Sequence, residues 1–320
     1  MGPGPGPAPD TAARASPALK PTGGQAVRVE FRPTTAEDTD RLVQLYEPVH
    51  GGGYSACFDK YGSIGPQDFW WVQSEKEVHL MLVNGRPAGF VVLGSEGRRV
   101  LVEELVGHPA GVTVSTGPLD PTDGALLRRV WQFLLDRHRA ARQESVLLRT
   151  HEANPLALAL VRQQGFTLVN TLRTVVRRER SKPVEPPAGY TVRRAEARDA
   201  AEIARVHHEA YGERISEAEV AQRIGRPHTR TFVCERSGVR VGYAHAASRG
   251  GIGDLWVAVR ENHRRRGVGT ALASAAVAFL HTKEQPARLN HWGLDVPASA
   301  LLRRLGFVTE RVHLYFERAI

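Results

Sequence analysis

Apolar and polar residues alternate along Val27-Arg-Val-Glu-Phe31, which predicts a half-buried strand, and Leu42, Leu45 and Tyr46 then recur at helical spacing. Thr35 and Asp38 stand ahead of that helix as a capped start. Val78 to Leu93 reads as a hairpin turning at Asn84-Gly85, a pair that suits a two-residue turn. A second hairpin is predicted from Arg230 to Tyr243, around Ser237-Gly238. Leu255, Val257 and Val259 alternate with Asp254, Trp256 and Ala258 as a short strand. Leu272, Ala276, Phe279 and Leu280 then keep helical spacing with no breaker between them. The turn that joins this strand to this helix is Arg264-Arg265-Arg266-Gly267-Val268-Gly269-Thr270.

The pattern occurs twice. Arg32 precedes Asp38 by six positions at the first strand–helix junction, and Arg193 precedes Asp199 by six at a second, where Ile203, Val206 and Ala210 carry the helix. Each half later reaches a Gly-Phe pair behind a predicted helix, at Gly165-Phe166 and at Gly306-Phe307. In the first half Asn154-Pro155 supplies the helix start, in keeping with the preference for Asn as a cap and Pro just inside. A duplicated domain accounts for this most economically. The first copy is longer by roughly twenty residues, and the Gly-rich stretch 51–62, read as a loop or lid, accounts for much of the surplus. The expected division is a disordered tail over 1–26, a first domain over 27–180, a Pro-rich linker over 181–189 and a second domain over 190–320.

Composition narrows the class. With 320 residues, 42% hydrophobic and 24% charged, the chain suits about two globular domains with cores of their own. No apolar run nears the ~20 residues of a membrane span, and the start lacks an apolar signal core. A cytoplasmic protein is therefore expected. Cys57 and Cys234 stand far apart with no metal-type spacing, which predicts buried free thiols and no metal. The net charge of +9 raises the question of nucleic acid, but the arginines are scattered and no aromatic-basic platform accompanies them. The same balance suits a small anionic partner.

The basic turn is where chemistry is expected. A helix start exposes unpaired N–H groups and partial positive charge, and Gly267 and Gly269 leave the backbone open to a phosphate. Three arginines add full charge to that anion site. Arg264-x-x-Gly267-x-Gly269 after a strand resembles the pyrophosphate loop of the GNAT superfamily of acyl-CoA-dependent N-acyltransferases. Asp295 to Phe307 resembles that family's closing helix and its Gly-Phe strand entry. The two motifs stand in the right order and cover the C-terminal half.

The resemblance implies an α/β (α+β) fold of two tandem GNAT-like domains, each a mixed, largely antiparallel sheet flanked by helices. It implies acetyl-CoA as co-substrate, its pyrophosphate on Arg264, Arg265, Arg266, Gly267, Val268, Gly269 and Thr270, and its pantetheine arm along the backbone of Val257, Ala258 and Val259. Asp295 stands where the family has an asparagine beside the cofactor. The implied reaction is direct attack of a primary amine, of a small molecule or a peptide, on the thioester. An ordinary amine is protonated near neutral pH, so a base must take its proton, and Asp254 is the leading candidate. Glu209, Tyr211 and Glu213 are candidates for lining the acceptor cleft, and His207, His208, His263 and His291 for carrying protons.

Two departures qualify this reading. The family's frequent tyrosine, a proton donor to the leaving thiolate, is Leu302 in the second copy and Val161 in the first. Tyr315 or water is left to serve. The first copy lacks the basic turn and has Asp120 and Asp123 in the corresponding region, so it is expected to be degenerate. The alternatives are a non-catalytic acyl-CoA-binding or interaction protein and a protein N-terminal or lysine acetyltransferase.

Overall fold

The computed structural model describes residues 28–107, 121–180, 182–249, 251–283 and 286–320. The expectations for the tail over 1–26 and for Asp120 lie outside the described residues, as does the side chain of Asp123.

The first half runs β1 (Val29–Pro33), α1 (Thr39–His50), the two-residue strands β2 (Tyr54–Ser55) and β3 (Lys60–Tyr61), and α2 (Pro66–Glu75). It continues through β4 (Glu77–Val83), β5 (Arg86–Glu96), β6 (Arg99–Gly107), α3 (Pro121–Ala141), β7 (Ser145–His151), α4 (Pro155–Gln164) and β8 (Thr167–Arg177). The second half repeats that order without the two-residue pair. It has β9 (Thr191–Arg194), α5 (Ala200–Tyr211), α6 (Glu217–Gly225), β10 (Thr229–Arg236), β11 (Val239–Arg249), β12 (Ile252–Val259), α7 (Val268–Leu280), β13 (Ala287–Trp292), α8 (Val296–Arg304) and β14 (Val308–Ala319). The tandem of mixed, mostly antiparallel sheets with flanking helices is as the sequence predicts.

The repeated Arg–Asp spacing is a repeated clasp. Asp38 accepts from the Arg32 guanidinium at 2.6 and 2.8 Å, and Asp199 from Arg193 at 2.8 and 2.9 Å. In both halves the same carboxylate accepts from a backbone N–H three residues earlier, Thr35 or Glu196, so one side chain ties the strand end to the helix entry. Asp199 is fully buried and also receives Arg240 at 3.0 Å. These guanidinium bonds hold the Asp199 carboxyl far below the usual carboxylate range and lower Asp38 to about 2.

The two sheets are continuous, which the sequence does not announce. Twelve strands form one sheet in the order β1-β4-β5-β6-β7-β14-β8-β13-β12-β11-β10-β9. The last strand of each half has crossed to the other: β14 pairs with β7 from His313↔His151 to Ala319↔Ser145, and β8 pairs with β13 from Ala287↔Arg177 to Trp292↔Leu172. The cores follow the strands. Val175 of β8 packs in the cluster under α7, and Phe316 of β14 against the cluster under α3. Burial of such side chains favours the exchanged arrangement over two separate sheets with bare edges.

Residues 51–62, expected as a loop or lid, are packed down. Tyr54, Ser55, Cys57 and Phe58 are buried, and Arg311 of β14 donates to the carbonyls of His50 at 2.5 Å and Tyr54 at 3.2 Å. Tyr61 lies under the Arg288 guanidinium, 3.8 Å from ring centre to charge, which brings this first-half segment against the second half. Cys57 and Cys234 are free and buried.

Candidate active site

β12 and β13 run parallel but pair at a single position, Gly253↔Leu289. From there β13 stays with β8 along its whole length while β12 stays with β11 through Gly242↔Val259, so the two strands part like a V. At the apex the packing is tight: a side-chain carbon on Gly253 would lie 2.9 Å from the Leu280 side chain and 3.1 Å from the Arg288 carbonyl oxygen of β13. Toward the open end the strands enclose a cavity of about 470 Å³, lined among others by Leu255, Val257, Asn290, Asp295 and Leu302.

The basic turn stands at the mouth of this cavity. Gly267 caps α7 with φ +86°, a left-handed conformation that side chains resist, and α7 has no side-chain cap on its first N–H groups. Val268 is buried and anchors the helix start. Arg264 folds back, its Nε donating to the Val259 carbonyl at 2.9 Å. Of the predicted cofactor residues, Val257, Ala258, Val259, Arg264, Gly269 and Asp295 line the cavity. Arg265 and Arg266 are exposed beside it, and Gly267, Val268 and Thr270 shape the turn without lining it. Asp295 accepts from the Ala298 N–H at 2.9 Å and so caps α8.

Val257 and Val259 lie two apart on β12, so their carbonyls point to the same edge of the strand. Arg264 takes one of these carbonyls. The other accepts from the Tyr211 hydroxyl at 2.8 Å, which brings the last residue of α5 into the cavity wall. Burial raises the Tyr211 phenol above its ordinary value, so it stays protonated near neutral pH. Leu302 lines the wall at the family's tyrosine position, whereas Tyr315 lies elsewhere, edge-on to Trp292. Among the four candidate histidines only His291 reaches the cavity. His207 is buried and bonded to the Tyr243 hydroxyl at 2.6 Å, His263 meets the Tyr190 hydroxyl at 3.0 Å, and His208 is exposed. Glu209 sits 3.4 Å from Arg260, and Glu213 is exposed near His207. The β13 residues Leu289 and Asn290 also line the wall, and no spacing in the sequence marks them.

Asp254 follows the apex residue directly but faces the other way, because side chains alternate along a strand. It lines a separate depression with Trp256, on the side of the sheet covered by α5 and α6. The protein packed around it, and next the charge of Asp59 in the packed 51–62 segment, raise its carboxyl above the usual range. Among the described residues no three His, Cys, Asp or Glu side chains come together as a metal-binding group.

The first copy closes where the second opens. β6 and β7 pair at four positions, Arg99↔Ser145 to Val102↔Leu148. Beyond them Asn154, buried and at the position matching Asp295, caps α4 and donates to the Leu105 carbonyl of β6 at 2.7 Å.

Comparison with known proteins agrees with this geometry. Residues 227–309 match the family model described as acetyltransferase (GNAT) domain. A curated relative, mycothiol acetyltransferase of Frankia alni, is 40% identical over 91 residues, a match that spans 27% of this chain and 27% of the relative. The GCN5-related N-acetyltransferase of Sphaerobacter thermophilus superposes with a TM-score of 0.63 at 16% identity, covering 91% of this chain and 95% of that one. A tandem GNAT protein from the clavulanic acid biosynthesis pathway gives 0.57 at 16%, covering 91% and 98%. At these identities the two structures speak to the fold.

Proposed function

We propose, from the match of residues 227–309 to the acetyltransferase (GNAT) domain, that the second half binds acetyl-CoA between β12 and β13 and transfers the acetyl group to a primary amine of a small molecule. The observation that carries this reading is the V between these strands, with an uncapped helix start and two glycines at its open end. Anions are favoured at such a helix start, and Gly269 leaves its backbone approachable. The carbonyls of Val257 and Val259 offer the β12 edge to an extended arm once Tyr211 and Arg264 let go of them. That arm would end at the apex, next to Asp254.

When bound, acetyl-CoA supplies the activated acyl group; the chain's own residues orient it and move protons. Asp254, with its raised carboxyl, takes a proton from the acceptor's ammonium, directly or through water, and so frees the amine to attack. Tyr211 is placed to give a proton to the departing thiolate, in place of the phenol absent at Leu302. Holding both reactants together supplies much of the gain. The first half serves through packing and through the 51–62 segment beside Asp254, with domains divided at the Pro-rich 181–189 stretch. Among the described residues no helix is long and apolar enough to cross a membrane, and a cytoplasmic site of action is part of the proposal.

A second reading, an acyl-CoA-binding protein without turnover, draws on Leu302 at the cavity wall. Titration calorimetry with acetyl-CoA and release of free thiol across an amine panel separate the two. Heat of binding with thiol release, both reduced by substitutions at Gly269, is the expected result. Binding without thiol release from any amine, peptide amines included, would establish the second reading.

A further inference from the structure

The depression around Asp254 has a chemistry of its own. It encloses about 500 Å³ and is lined by Arg223 of α6, Arg226 at the cap of that helix, Arg249 at the end of β11, and Asp254 and Trp256 of β12. Several other arginines of this half are matched: Arg193 and Arg240 to Asp199, Arg260 to Glu202, Arg288 to Glu310. Among the described residues no ion pair joins Arg223, Arg226 or Arg249 to a carboxylate at contact distance, and the charges that do act between them are longer-range, Arg249 on Asp254 and Arg223 on Glu219. Arg226 keeps one hydrogen bond, to Gln222 at 3.0 Å. The remaining lining is uncharged or histidine. His245 is bonded to Thr231 at 2.8 Å, and burial followed by the Arg223 and Arg226 charges lowers it to about 4, so it adds no charge at neutral pH.

Three cations, none in a contact ion pair, therefore share a concave site with one carboxylate, and that carboxylate directly follows the apex residue of the acyl cleft. A guanidinium without a partner favours an oxyanion, which it can meet through paired N–H donors. Trp256 is two-fifths exposed there and offers a flat apolar face.

We propose that this depression is the acceptor site and that its amine carries an oxyanion, a carboxylate or a phosphate, held by Arg223, Arg226 and Arg249 while its ammonium meets Asp254. The proposal rests on the transferase reading above. In the step it implies, the ammonium loses one proton to Asp254 and the freed nitrogen pair attacks the thioester carbon. The carbon–sulfur bond breaks as the amide bond forms, the nitrogen sheds its second proton, and the thiolate leaves with its electron pair and takes up one proton, so the products are amide, thiol and the proton held on Asp254. No further reactant is needed.

The test pairs acidic amines with neutral counterparts: 4-aminobutyrate with its methyl ester, and 2-aminoethyl phosphate with 2-methoxyethylamine. Each is titrated calorimetrically into CoA-loaded full-length protein and assayed for thiol release with acetyl-CoA. At least one acidic member is expected to bind about tenfold or more tightly than its partner, the scale of one charge-assisted hydrogen bond. The arm that shows the preference identifies carboxylate or phosphate. Arg226→Gln with Arg249→Gln, both exposed, is expected to erase the preference through acceptor affinity and KM, with acetyl-CoA affinity unchanged. Equal or weaker binding of the acidic members, or no binding of either, overturns the inference. Acid-selective binding that the double variant erases, without thiol release from any amine, would leave the depression as an oxyanion-binding site and overturn the transferase reading, and with it the acceptor role.

Discussion

Asn154 donates its side-chain N–H to the Leu105 carbonyl across 2.7 Å, and so bridges α4 to β6 at the place where the corresponding strands of the second half part around a cavity. Its Oδ1 meanwhile accepts from the Ala157 N–H at 3.2 Å. Asp295, at the matching position, accepts in the same way but has no N–H to donate. Removing the bridge by Asn154→Ala leaves a buried carbonyl without its partner, at a cost of about 1–3 kcal/mol. Urea denaturation is expected to show a lower midpoint with little change in slope. Acetyl-CoA affinity is expected to stay as it was, and a parallel loss of affinity would mean that the first half takes part in binding.

The reverse comparison concerns charge. Asp295 lines the cavity that the pyrophosphate of acetyl-CoA is proposed to enter, and like charges repel. Asp295→Asn keeps an acceptor for the Ala298 N–H, so the α8 cap survives. Losing the repulsion, of order 1 kcal/mol at short range in a surface cleft, is expected to tighten acetyl-CoA by up to about fivefold. Calorimetry at low and high salt checks this, since screening should shrink the difference. A weaker variant would show that Asp295 contributes something other than its cap.

Gly267 and Gly269 are predicted to answer the same substitution in opposite ways. Gly267 holds φ +86°, and a side-chain carbon there would sit 3.2 Å from Pro187, so Gly267→Ala costs about 1–2 kcal/mol in the left-handed conformation. Gly269 lies inside α7, where a side-chain carbon would meet Val259 and Val257 at 3.7 and 3.9 Å, ordinary contact distances. Gly269→Ala therefore gains up to ~1 kcal/mol of helix stability. The same methyl obstructs the backbone that a phosphate would approach, and affinity is expected to fall about tenfold or more through lost charge-assisted hydrogen bonds. A thermal melt and a calorimetric titration of that one variant should move in opposite directions.

These glycines were legible because they interrupt a strongly patterned strand and helix, and the Arg–Asp clasps because each repeats at one spacing within a few residues of chain. The strand exchange was not. Nothing in the alternation of β8 or β14 says which penultimate strand each will join, because pairing partners more than a hundred residues apart leave no local trace. Tyr211 could be suspected of lining a cleft but not of holding the Val257 carbonyl, which depends on where α5 ends over β12. Arg223, Arg226 and Arg249 looked like scattered surface charge until the fold gathered two elements around Asp254.

Exchange of the last strands makes each half dependent on the other. Residues 190–320 alone would lack β8, leaving β13 and β14 without the strand they share and Val175 missing from the core beneath α7. Two new edges and a hole in the core are expected to prevent cooperative folding of that fragment. Circular dichroism and gel filtration should find it unfolded or aggregated. Co-refolding with residues 28–180 is expected to restore a monomer-sized species that melts in one transition. A fragment that melts cooperatively alone would mean β14 can close on β13 directly.

Glu104 of β6 gives the chain a pH signature. The residue is buried, and burial, opposed by the nearby Arg149 charge, pushes its carboxyl up to about 7. In the unfolded chain the same group titrates near ~4.3. Between those values the folded protein holds more protons than the unfolded one, so this group's contribution to stability falls as pH rises through that window. His50 and His151 are lowered to about 4 by burial and then by the Arg311 charge, and they act with the opposite sign, costing stability as pH falls below their ordinary value. A wild-type profile mixes the two; Glu104→Gln separates them. The difference in melting temperature, variant minus wild type, is expected to grow from pH 5 to pH 8 as the wild type alone bears the cost of a buried carboxylate. A difference that stays flat over that range would show that Glu104 titrates in the folded protein as it does in water.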